Sequence, residues 1–216
     1  MTPGRGRGAG GEGLIEVLRV ARDRGLLGPG ALEVHCSHAR GFAEVVASLG
    51  PVGGLALDLG SGGGVPGLVL ATERPDLAHR WILLDGRRRS VTFLEEARAQ
   101  LGLAEVEVLA ERAEVAAREP RWRETFSLVV ARGFGPPATA AECATGLLAV
   151  GGALVVSEPP EGGVDRWPAD RLGELGLGPA TVHRVDGGHF AVLEKVAACP
   201  ARFPRRVGVP RKRPWF

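Results

Sequence analysis

The run Leu55-Ala56-Leu57-Asp58-Leu59, followed by Gly60-Ser61-Gly62-Gly63-Gly64-Val65-Pro66-Gly67, constrains this chain more than any other stretch. An apolar segment that carries one acid near its end and then breaks into glycines reads as a buried parallel strand meeting a ligand. Glycine permits positive φ and lets backbone come within contact distance of a bound group. Val65, Leu68, Val69 and Leu70 then open a helix, whose first N–H groups have no intrahelical partner. The expectation is a nucleotide-type site at the carboxyl end of the first strand of a doubly wound sheet.

The rest of the chain alternates. Apolar runs at 81–85, 106–109, 127–131 and 153–156 predict four more strands, and helical spacing marks 87–101, 111–118 and 137–148. Upstream, Leu14 to Leu27 and Ala31 to Leu49 carry apolar residues at helical spacing, closed by Gly28-Pro29-Gly30 and Gly50-Pro51. Near the end, 181–185 and 189–196 flank Asp186-Gly187-Gly188, a hairpin signal that makes the last strands antiparallel. This is the layout of an α/β, Rossmann-like class I methyltransferase fold. Its sheet is mostly parallel and seven-stranded, closes with an antiparallel β-hairpin, and has helices on both faces. The chain divides into a Gly/Arg-rich segment 1–13 expected to be disordered, N-terminal helices 14–50, a core 51–199 and a basic tail 200–216.

Two donors compete for the glycine loop. Gly62, Gly64 and Gly67 satisfy G-x-G-x-x-G with Asp85 downstream, which fits a nicotinamide oxidoreductase; among 33 glycines such a match is weak. S-adenosylmethionine fits better. Asp58 stands where a carboxylate anchors a cationic methionine end, whereas beside a pyrophosphate its charge would be unfavourable. Pro66 also removes an N–H from any pyrophosphate cradle.

Composition sets further limits. The net charge is only +2, so any nucleic-acid surface must be local. Cys36, Cys143 and Cys199 lie far apart without metal-ligand spacing, which fits buried thiols in a reducing cytoplasm and no metal. No apolar run reaches membrane-spanning length. The expectation is a cytoplasmic monomer that avoids the membrane. His35, His38, His183 and His189 read as structural or surface residues rather than bases.

The motifs resemble those of the glucose-inhibited division protein B family, bacterial small-subunit rRNA guanine-N7 methyltransferases. Its D-[IV]-G-[ST]-G-x-G-x-P-G loop is similar to Asp58 through Gly67, and its L-[LV]-[DE] strand to Leu84-Asp85. The following helix is similar to Arg88 through Leu94, and R-[AV]-E to Arg112-Ala113-Glu114. The turn after strand four resembles Ala131-Arg132-Gly133, the closing strand His189 to Lys195, and the tail Pro204 to Pro210. The resemblance implies S-adenosyl-L-methionine as cofactor, held by Asp58, Gly60, Ser61, Gly62, Gly64, Val65, Asp85, Ala113, Glu114 and Arg132. Asp85 would take the ribose hydroxyls. Ala113 and Glu114 would lie near the adenine and act mainly through backbone groups. The implied partner is 16S rRNA or the small ribosomal subunit. Guanine N7 carries no proton at neutral pH, so no general base is expected and no residue is assigned as catalytic.

The tail carries the one dense basic run, Arg202, Arg205, Arg206, Arg211, Lys212 and Arg213, interleaved with Phe203, Trp215 and Phe216. Such a tail suits phosphate neutralisation and base stacking; the alternative is a solvated terminus. Two elements depart from the family pattern. Ser157-Glu158-Pro159-Pro160 stands where the family has a lysine-glycine pair, and Val34-His35-Cys36-Ser37-His38-Ala39 lacks the arginine and aspartate of R-H-x-x-D-S. An anion thus replaces a cation on the acceptor side. This keeps two alternatives open, a small-molecule acceptor and a cofactor-binding module without turnover.

Overall fold

A computed structural model of the chain describes residues 7–216. Its centre is a seven-stranded sheet in the order β3-β2-β1-β4-β5-β7-β6. The strands are β1 Leu55–Leu59, β2 Arg80–Leu84, β3 Val106–Leu109, β4 Phe126–Ala131, β5 Leu148–Glu158, β6 Thr181–Val185 and β7 Gly188–Glu194. Strands β1 to β5 are parallel, and β7 runs antiparallel to both β5 and β6. Chain order therefore reverses between β1 and β4. At such a switch point the loops leave the sheet in opposite directions and open a crevice above the carboxyl ends of the strands.

The helices are α1 Arg7–Asp23, α2 Leu32–Ser48, α3 Gly67–Glu73, α4 Arg88–Gln100, α5 Ala113–Ala116, α6 Pro137–Thr145, α7 Ala169–Gly173 and α8 Val209–Lys212. Leu57, Leu59, Ile82, Leu84 and Val129 point to one face, where α6 covers them with Ala140, Ala141 and Ala144. Ala56, Leu83, Leu128, Val130 and Val155 point to the other, packed on Phe42, Val46, Leu68 and Phe93. Strands apolar on both faces are what a sheet with two helical layers requires.

The N-terminal segment differs from expectation. Helix α1 begins at Arg7, so 7–13 is helical rather than disordered; residues 1–6 lie outside the described residues. Once the amphipathic stretch from Leu14 onward has nucleated a helix, adding a residue costs far less than the nucleus did. Helix α6 ends at Thr145, ahead of the expected Leu148, and β5 starts there instead. Among the described residues no helix is long and apolar enough to cross a membrane.

Candidate functional site

The loop after β1 is held by its own acids. Gly67 N–H donates to Asp58 Oδ2 at 2.9 Å, and Gly62 N–H donates to Asp85 Oδ2 at 2.9 Å. Ser61 Oγ donates to the Asp58 carbonyl at 3.1 Å, and Gly64 N–H to the Ser61 carbonyl at 2.7 Å. Gly64 adopts φ +82°, and a Cβ there would lie 2.2 Å from Leu68 Cδ1. A side chain at 64 is excluded by the loop's own helix rather than by a ligand.

A cavity of about 400 Å³ opens beside this loop. Gly60 of this loop, Asp85 and Arg87 after β2, residues 111–114 after β3, and Phe134, Thr139 and Cys143 after β4 line it, and Arg211 of the tail joins them. The volume suits a nucleoside-sized ligand. Asp85 Oδ1 accepts from Arg87 N–H at 2.8 Å, and the Arg87 guanidinium lies 3.1 Å from Oδ2. A carboxylate offers about four lone-pair positions, so Asp85 can keep its two backbone donors and still accept a vicinal diol by releasing the half-exposed Arg87 side chain.

Of the residues expected to hold the donor, Gly60, Asp85, Ala113 and Glu114 line this cavity. Asp58, Ser61, Gly62, Gly64, Val65 and Arg132 do not. Asp58 is buried under the loop, and burial is the main force raising its carboxyl to about 6; the Ser61 and Gly67 contacts oppose it. Val65 packs with Leu14, Leu18, Cys36 and Val69 beneath α1 and α2. Arg132 donates to His35 Nδ1 at 2.8 Å, and His35 Nε2 lies 3.1 Å from the Gly28 carbonyl, which fixes the neutral Nε2–H tautomer. Burial first, then the Arg132 charge, lowers the pKa of His35 and takes that of His38 to about 4. Both rings are neutral at pH 7. Arg132 therefore ties the N-terminal helices to the end of β4.

The Glu114 carboxylate does more than a backbone role would need. Its Oε1 accepts from Gly208 N–H at 2.8 Å and from Arg112 at 3.4 Å. Burial raises its pKa, but these bonds outweigh burial and hold it below the usual carboxylate value. The wall formed by Phe134, Pro136 and Thr139 follows β4. No motif singled it out; only its place after a strand's carboxyl end could have marked it.

Two expectations about charge change. Glu158 does not present an anion to the acceptor side. Its side chain is 2% exposed, paired with Arg166 and reached by Trp167 Nε1 at 3.3 Å. The segment 164–173, unrecognised in the sequence, folds back and neutralises it. The tail is not a solvated arm either. Phe203 is fully buried, Trp215 packs edge-on to it at 5.0 Å, and Arg205 forms a two-pronged pair with buried Glu142, with contacts of 2.6 and 2.9 Å. Phe203 is thus a core residue, and Trp215 and Phe216 are half-buried against the core. Arg202 pairs with Glu174. Among the described residues Arg206, Arg211, Lys212 and Arg213 form no ion pair, and all four are exposed.

Asp58 gives a pH signature. Between an unfolded value near 4 and about 6 in the fold, the folded chain keeps a proton that the unfolded chain has released. The unfolding free energy therefore falls as pH rises across that window and levels off above it, by up to about 3 kcal/mol. Asp58→Asn removes this component while keeping an oxygen for Gly67 N–H. Urea unfolding at pH 4.5 and 7.5 should show a larger difference in the wild type than in the variant; equal differences would refute the assignment.

A mostly parallel sheet with this strand order, closed by an antiparallel hairpin, with a cavity at the switch point, is the class I methyltransferase fold. A Corynebacterium glutamicum protein of known structure aligns over 88% of this chain and 92% of its own, with TM-score 0.53 and 19% identity. An rRNA methylase from Streptococcus thermophilus aligns over 71% of this chain and 93% of its own, with TM-score 0.50 and 18% identity. These show the shared fold. Residues 40–158 match the family described as rRNA small subunit methyltransferase G. Two relatives carry the name ribosomal RNA small subunit methyltransferase G. That of Moorella thermoacetica is 37% identical, over 76% of this chain and 70% of its own length. That of Roseiflexus castenholzii is 33% identical, over 84% and 80%. The chain belongs to the rRNA small subunit methyltransferase G family, and its methyl donor is S-adenosylmethionine.

Proposed function

We propose that this chain methylates N7 of a guanine in 16S rRNA, taking the donor into the cavity between Asp85 and Glu114. The observation that carries the donor placement is Asp85, which faces the cavity from the end of β2 while Gly62 N–H and Arg87 N–H hold its carboxylate in place. S-adenosylmethionine supplies an electrophilic methyl on a sulfonium.

What the chain must supply is positioning. Asp85 holds the ribose hydroxyls; Gly60, where a Cβ would meet the Phe134 ring at 2.5 Å, lines the cavity with backbone alone. Asp58, Gly62, Gly64 and Val65 act through the shape of the loop, and Asp58 adds negative potential under the methionine end. Guanine N7 has an in-plane lone pair and no proton to lose, so alignment and exclusion of water suffice.

The acceptor assignment rests on family membership, and the corrected position of Glu158 supports it by removing the repulsion that a phosphate would have met. Radiolabelled methyl transfer to small ribosomal subunits from a strain lacking the gene tests it. Label in 16S rRNA is expected. Donor binding without label would move the acceptor to a small molecule, or the chain to a silent binding module.

Arg206, Lys212 and Arg213 are the tail cations left to meet RNA phosphate. Changing all three to glutamine should lower the slope of log K against log salt by about 2 to 3, at roughly one phosphate per cation. An unchanged slope would show that they are only solvated.

A further inference from the structure

Gly208 and Pro210 of the tail are bonded to two residues of the cavity wall. Gly208 N–H donates to Glu114 Oε1 at 2.8 Å, and Thr139 Oγ1 donates to the Pro210 carbonyl at 3.0 Å. Arg205, a few residues earlier, is clamped on buried Glu142 of α6. These three attachments fix α8 against the cavity, and Arg211 is the tail residue that lines it. Its tail neighbours Arg202 and Arg205 are each paired with a carboxylate, whereas among the described residues Arg211 has none within ion-pair distance. An ordered backbone that delivers an uncommitted guanidinium to a ligand cavity calls for a ligand group on that side.

The surroundings say which group. Asp85, Glu111 and Glu114 line the same cavity; Arg87 pairs with Asp85 and Arg112 with Glu114, which leaves Glu111 to repel an entering phosphate. A neutral, planar, electron-rich ring meets no such repulsion, and a guanidinium engages it by stacking on its face or by donating to ring nitrogens. Asp85 takes the ribose, while Glu114 and Thr139, bonded to Gly208 and Pro210 on either side of Val209, line the same cavity as Ala113, Cys143 and Arg211. We infer that Arg211 is a donor-binding residue, which the C-terminal tail contributes to the purine end of the S-adenosylmethionine site. This rests on the reading of the cavity as the donor site. The tail then does two things at one place: Arg211, at the cavity's edge, meets the purine, while exposed Arg206, Lys212 and Arg213, which do not line the cavity, meet nucleic acid.

Calorimetric titration with S-adenosylhomocysteine and with adenosine separates the possibilities, comparing the wild type with Arg211→Ala, Arg211→Lys and Arg184→Ala, a distant exposed control on β6. Arg211→Ala should raise Kd for both ligands by roughly threefold to thirtyfold at an unchanged melting temperature. Arg211→Lys should recover only part of this, because an ammonium has no planar face, and Arg184→Ala should bind as the wild type does. Wild-type affinity of Arg211→Ala for both ligands overturns the inference, and a simultaneous loss of RNA affinity would then make Arg211 a phosphate contact. If the wild type itself binds neither ligand, the donor-site reading fails and this inference fails with it.

Discussion

Replacing Arg205 by alanine should lower the unfolding free energy by about 3 to 5 kcal/mol, although the residue belongs to a basic tail that composition alone would leave in solvent. The Glu142 side chain is fully buried, and Arg205 supplies its guanidinium and its backbone N–H, the latter at 2.7 Å. Removing the cation leaves a buried carboxylate with one backbone donor. The Arg205 guanidinium also lies 5.3 Å from the Trp215 ring and donates to the Arg213 carbonyl at 2.7 Å, so the end of the chain loosens with it. Urea unfolding reads the effect. Glu142→Gln in the same chain should restore part of the loss, since the buried charge is then gone, whereas Arg206→Ala should cost under about 0.5 kcal/mol. An Arg205→Ala protein as stable as the wild type would mean that the tail is not docked as described.

Asp85→Ala should weaken S-adenosylhomocysteine by at least about a hundredfold. Two ribose hydroxyls donating to one carboxylate are worth on the order of 1.5 to 3 kcal/mol each. The alanine variant also leaves Gly62 N–H without its acceptor and loosens the turn. Asp85→Asn separates the two effects. An amide oxygen still accepts from Gly62, so the fold should hold, while the lost charge and the new N–H donors oppose the diol. Tight donor binding by both variants would place the ribose elsewhere.

Legibility in the sequence followed the range of the forces involved. Strands β1, β2 and β4 are short apolar runs whose pattern is set by burial on both faces, and they and the half-buried edge strand β3 fall where hydropathy places them. The Asp186-Gly187-Gly188 turn announced the antiparallel end by local backbone chemistry. The turn Val150-Gly151-Gly152 hid the first half of β5, because glycine reads as a break even where a strand passes through it. The placement of Glu158, Arg205 and the tail is not legible in the sequence, for one reason. Each is decided by a partner that composition does not reveal: Arg166 and Trp167 for Glu158, and Glu142, Thr139 and Glu114 for the tail. The same holds inside the site. The loop glycines were visible, but that Val65 packs under α1 while Arg211 reaches the cavity depends on tertiary contacts.

Titration of the wild-type chain with S-adenosylhomocysteine and, separately, with NAD decides between the two donors that the glycine loop allows. One S-adenosylhomocysteine site, weakened by Asp85→Asn, and no heat from NAD are expected. Binding of NAD without S-adenosylhomocysteine would contradict the assignment of S-adenosylmethionine as donor.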